Sequence, residues 1–241
     1  MHTQTGTQSD TQSDMDWTRM LEHEGRGLLE EMDAHPGARS LFEGRIDAAS
    51  YARYLVQVYH YVRWTTPLLA DSGERMRRLG GHPVFGDLFV HKAAEERGHE
   101  RWLLADLKNL GWSSERVEGA GRCPAVKAYI AWNRFTALTG SPTAFLGTAF
   151  VLEYLAVHRA PQAVAKLLEA RAIPNIHKAV TFLRGHGEED GAHVEALLTL
   201  LRSMTDPREQ AAVLLSARTT RALYPGLFSS EAPRAPAQLV P

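Results

Sequence analysis

Apolar residues recur at intervals of three and four along almost the whole chain, while alternating apolar and polar runs bounded by turn residues are scarce. That period predicts amphipathic helices and an all-α fold. At 241 residues one domain suffices. A core of that size buries roughly three quarters of the surface its unfolded chain exposes, so no disulfide or structural metal is needed for folding. The single cysteine, Cys123, excludes an internal disulfide and suits a cytoplasmic location. Lysine and arginine total 27 against 28 acidic residues, a balance that points away from nucleic acid. No apolar run approaches the ~20 residues of a membrane span. Residues 1–15 are polar, lack the apolar stretch of a secretory signal and read as a disordered leader. Residues 16–228 read as the folded domain, and 229–241, rich in proline and alanine, as a flexible tail.

Punctuation residues divide the domain. A first helix is predicted over 16–35, ended by Pro36, with 41–44 as a connector. Asp47 is placed to cap a long helix carrying Tyr51, Leu55, Val58, Tyr59 and Val62, with a kink at Pro67. Gly80-Gly81-His82-Pro83 is a break, and a continuous helix is predicted from 83 to 110 with Gly111 as its C′ residue. A polar loop over 112–122 and a helix over 124–138 follow. Ser141-Pro142 opens a helix carrying Glu153, and Ala160-Pro161 opens another. The last two are predicted over 175–204 and from Asp206-Pro207 onward. No internal repeat of 20–50 residues is present.

One segment stands apart: His186, Asp190 and His193 are spaced i, i+4, i+7. On a helix they form one stripe about 60° wide. The stripe continues as Leu197 and Leu200, so it faces inward, where ionisable groups are costly unless paired or metal-bound. Two imidazoles and a carboxylate suit iron, manganese or zinc. Gly187 and Gly191 weaken this helix by ~1 kcal/mol each relative to alanine, which implies a close backbone approach or a local distortion. The competing reading is a solvated polar face around Glu188, Glu189 and Glu195. A second pair, Glu96 and His99, has the E-x-x-H spacing used inside di-iron bundles. Glu95 is an alternative to Glu96, and a charged surface turn with Arg97 and Arg101 is the bland reading. Glu153 is a lone carboxylate in an apolar run, expensive to bury without a partner. Glu96, His99, Glu153, His186, Asp190 and His193 together make three carboxylates and three imidazoles, which matches two metal ions and the mixed N/O preference of iron.

In the order and separation of these residues, the chain from about 20 to 205 resembles the heme-oxygenase-like di-iron oxidases, relatives of TenA and PqqC. His35-Pro36, Leu41 to Gly44 and the Tyr59 to Val62 run look like that family's first two helices. Members that space the first glutamate seven residues before the histidine differ here, where that position is Lys92. The resemblance implies a single bundle of seven to eight helices and a labile pair of iron ions. It also implies O2-dependent oxidation of a small molecule: an amino acid, amine or fatty acid, by N-oxygenation or C–C or C–H cleavage. Biosynthesis of a specialised metabolite is the expected setting. An extra carboxylate ligand, as some members use, would fall to Glu74 or Asp71.

His60, Arg63 and Arg184 are candidates for substrate contact, the arginines through a substrate carboxylate. His23 lies where heme oxygenases carry their heme ligand and reads as a surface histidine, and Cys123 reads as an incidental thiol. Two other classes compete with the oxygenase: a metal-free enzyme of the TenA or PqqC kind, and a non-catalytic helical binding protein. A small-molecule substrate is the expected partner, and a homodimer is left open.

Overall fold

The computed structural model describes residues 8–80 and 82–228, with side chains for 17–80, 82–187 and 194–228. Among them the architecture is all-α: α1 Gln8–Ala34, α2 Pro36–Phe42, α3 Ala48–Leu79, α4 Pro83–Glu95, α5 His99–Asn109, α6 Ser114–Gly119, α7 Pro124–Leu138, α8 Phe145–Ala170, α9 Thr181–Leu201 and α10 Pro207–Leu223. No helix among the described residues is long and apolar enough to cross a membrane.

The local chemistry explains most boundaries. Asp47 caps α3 by accepting from the Ser50 amide at 2.9 Å, and Asp206 caps α10 by accepting from Arg208. Pro36 does end α1, and it also starts α2, where the missing N–H costs nothing; the predicted connector over 41–44 is thus partly helical. The single helix expected over 83–110 is two helices, because Gly98 adopts φ 100 and breaks the run between α4 and α5. The expected loop over 112–122 contains α6, capped by Ser113. The helix predicted to open at Pro161 does not: α8 runs through it. Leu155, Ala160, Ala163, Val164 and Leu167 continue one buried stripe across the proline. Burying them outweighs the roughly 3 kcal/mol that an interior proline costs. The helix expected from 175 starts at Thr181, after a short 3-10 turn, Ile176–Lys178.

Two long helices organise the bundle. α3 packs against α4, α5 and α7, while α8 packs against α1, α9 and α10. Tyr51 and Leu55 of α3, Leu146 and Phe150 of α8, Leu21 and Leu28 of α1 and Leu103 and Leu107 of α5 are fully buried in one core. A polar knot crosses it, in which Thr148 of α8 bonds Asn133 of α7 and Ser216 and Thr220 of α10, each within 3.0 Å. Every member is satisfied, so the knot fixes helix register at little cost.

A candidate iron site in the wall of an apolar cavity

Between α3 and α8 lies a cavity of about 140 Å³, close to the size that admits a benzene-sized molecule. Most of its wall is apolar and includes Leu41, Phe42, Leu69 and Phe145. The polar part of the wall is formed by Lys92, Glu96, Glu153, His186 and Arg159, with the phenols of Tyr54, Tyr61, Tyr129 and Tyr224.

Glu96 is the C-cap of α4 and His99 the first residue of α5, so the Gly98 turn presents both to one side. The Glu96 Oε2 to His99 Nδ1 distance is 2.9 Å. His186 approaches from α9, its ring 5.0 Å from that of His99 and nearly perpendicular. One ligand atom from each of Glu96, His99 and His186 lies within 4.8 Å of the other two. Ligand atoms sharing one ion stand about 3 to 3.5 Å apart, so small side-chain rotations close the set. The donor chemistry fits as well. His186 Nδ1 donates to the Phe182 carbonyl at 3.0 Å, which leaves Nε2 as a lone-pair donor aimed away from its own helix. Trp102 stacks on His99 at 4.0 Å and fixes that ring; Gly185 leaves it room, since a Cβ there would stand 2.7 Å from the indole.

Burial pushes the Glu96 carboxyl up, but the His99 hydrogen bond and the charges of His186 and Lys92 outweigh it and hold the group below the usual carboxylate range. Burial pulls Lys92 down, and Glu153 with Glu95 and Glu96 more than restores it. Glu153, isolated from cations in sequence, meets Lys92 Nζ at 3.0 Å.

Glu95, the alternative to Glu96, pairs with His91 on an exposed face. Asp71 and Glu74 are exposed, Glu74 pairing with Arg77. Of the residues proposed for substrate contact, Arg63 and Arg184 are exposed, and His60 is buried outside the cavity wall. Arg159, held by Asp33, is the arginine that reaches the cavity. Cys123 lines a separate outer cleft with His35, Gln57 and Trp112. His23 is exposed on α1. The side chains of Asp190 and His193 lie outside the described residues, although α9 spans both positions. Sequence reasoning misses Lys92 and Arg159, whose partners Glu153 and Asp33 are remote in the chain, and Trp102, whose i, i+3 spacing to His99 is the local signal that marks it.

Solved structures place the helical bundle in a known fold class. A domain of unknown function with a heme oxygenase-like fold from Shewanella denitrificans superposes with a TM-score of 0.73 at 21% identity, over 86% of this chain and 88% of its own. A TenA homologue from Pseudomonas syringae pv. tomato gives 0.74 at 16% identity, over 94% and 96%. Heme oxygenase from Leptospira interrogans gives 0.64 at 17%, over 88% and 98%. The fold is heme-oxygenase-like. The family model for iron-containing redox enzymes matches residues 52–224, and the chain belongs to that family. No curated protein sequence matches it.

Proposed function

We propose that this member of the iron-containing redox enzymes is a non-heme di-iron oxygenase or oxidase that uses O2 to oxidise a small, largely apolar molecule. The observation that carries the reading is the convergence of two imidazoles and one carboxylate, His99, His186 and Glu96, beside an apolar cavity whose wall includes Glu96 and His186. That donor set with open positions is the one used by non-heme Fe(II) oxygenases. Glu96, His99 and His186 would hold one ion, and Glu153 with Asp190 and His193 the second. Bound iron supplies reduction of O2, which the side chains alone cannot perform.

The chain's own residues do the rest. The apolar wall from Tyr61 and Val62 to Leu152 and Phe182 excludes water and orients a substrate of modest size. The phenols of Tyr61 and Tyr224, 3.1 Å apart, offer a polar anchor within that wall. Burial pushes both phenols far above their usual value, so they remain neutral donors. Phe182, through its carbonyl, keeps His186 in the tautomer that ligates through Nε2. A heme reading is weaker, because the histidine at the heme-ligand position, His23, faces solvent.

The test is O2 uptake by anaerobically Fe(II)-loaded protein against a panel of amino acids, amines and fatty acids. The expected result is substrate-dependent uptake, with an oxidised product, that disappears in Glu96→Ala. Uptake that is identical in Glu96→Ala, or absent across the panel in a protein shown to hold iron, contradicts the proposal.

A further inference from the structure

We propose that Lys92 is a built-in competitor for the second metal ion: its ammonium and a metal ion exclude one another at Glu153. This rests on the reading of the site as an iron site and assigns to one residue the control of its second half.

Lys92 stands one helical turn before Glu96 on α4, so both project from the same face into the cavity wall. Its Nζ is 3.0 Å from Glu153 Oε1, and the two side chains are 12% and 16% exposed. An ammonium therefore occupies the cationic position that Glu153 would offer to a metal. Stability alone is a poor reason for such a pair, because an apolar pair of similar volume commonly serves a core as well or better. A divalent ion joining Glu153 would face a positive charge on the far side of the same carboxylate, at the low dielectric of a buried site. That repulsion disfavours holding both and favours the state in which one of the two cations has left. Lys92 is the one on a flexible stem, and Glu95, three residues on and half-exposed, provides a second carboxylate within its reach. The first ion, on Glu96, His99 and His186, does not require Glu153 and loads independently. The wild-type protein is then a one-ion protein at low metal and a two-ion protein only once Lys92 has withdrawn.

The experiment is Mn(II) binding in air by equilibrium dialysis, with free Mn(II) read by its EPR signal, for wild type, Lys92→Met, Lys92→Gln and Lys92→Arg. Wild type and Lys92→Arg should bind one ion tightly and a second at least ~10-fold more weakly; either neutral variant should bind the second ion on the order of ten-fold more tightly than wild type does. The neutral variants, with Glu153 left without its ammonium, should also gain more thermal stability from Mn(II) than wild type. Circular dichroism confirms the fold, and two neutral variants guard against one failing to fold. A second affinity unchanged in the neutral variants while the first site stays intact overturns the role of Lys92 alone. Two equally tight ions in wild type overturn it as well. No Mn(II) bound by any of the four proteins overturns both this inference and the iron-site reading.

Discussion

The carboxylate of Asp106 accepts the backbone N–H groups of Thr181 and Phe182, at 3.0 and 2.9 Å. Asp106 is fully buried on α5, the helix that begins with His99, and the two amides are the first of α9, the helix that carries His186. One side chain thus fixes the spacing of two helices that each bring an imidazole to the site. Asp106→Ala removes the partner of two amides at a part-buried helix N-terminus, worth ~1–3 kcal/mol for an unsatisfied buried group and less for an exposed one. The expected outcome is a loss of about 2–4 kcal/mol in urea unfolding, with weaker Fe(II) binding in the fraction that folds. Wild-type stability together with wild-type Fe(II) affinity would show that the cap positions nothing.

Gly187 serves the packing of α9 on α8. A Cβ there would stand 3.0 to 3.2 Å from three atoms of Pro161. Alanine gains ~1 kcal/mol of helix propensity, but overpacking against a rigid ring costs ~1–3 kcal/mol. Gly187→Ala should therefore destabilise by about 1 kcal/mol, whereas Gly119→Ala, with nothing within 4 Å of the new methyl, should not destabilise. Thermal unfolding of the two variants decides it; equal midpoints would mean that α9 can step back from Pro161 freely.

His60 is 3% exposed, and its burial holds the imidazole below 6.5, with Arg122 and Arg63 adding to the effect and a hydrogen bond with Ala120 opposing it. The neutral ring is favoured in the fold, so just below 6.5 the unfolded chain binds more protons than the folded one. Stability from this group is present above 6.5 and is lost as pH falls through the folded value. Wild type should lose urea stability between about pH 7 and pH 5, and His60→Phe should flatten that slope. An unchanged slope in the variant would assign the pH dependence to other groups.

Helix period, the caps at Asp47 and Asp206 and the αL glycine at Gly111 were legible in the sequence because each is a local signal. The break at Gly98 was legible in principle, but its flanks are good helix formers and the apolar period continues across it. Pro161 misled for the opposite reason: a local breaker was overruled by burial contributed by α1 and α9. At the site, the pairing of Glu96 with His99 follows from i, i+3 spacing and survives the break, because the Gly98 turn keeps the two residues side by side. Lys92 with Glu153, Arg159 with Asp33 and Asp106 with the start of α9 join residues far apart in the chain. No periodicity encodes such pairs; they become visible only when the bundle is assembled.

Glu96, His99 and His186 are proposed to form an iron site. Anaerobic Fe(II) titration, with protein-bound iron counted after gel filtration, tests it directly in wild type and His186→Ala. Wild type should retain at least one Fe(II) per chain, and His186→Ala, folded by circular dichroism, should lose that ion. Full iron retention by the variant, or heme binding at one per chain with no retained Fe(II) in wild type, would contradict it.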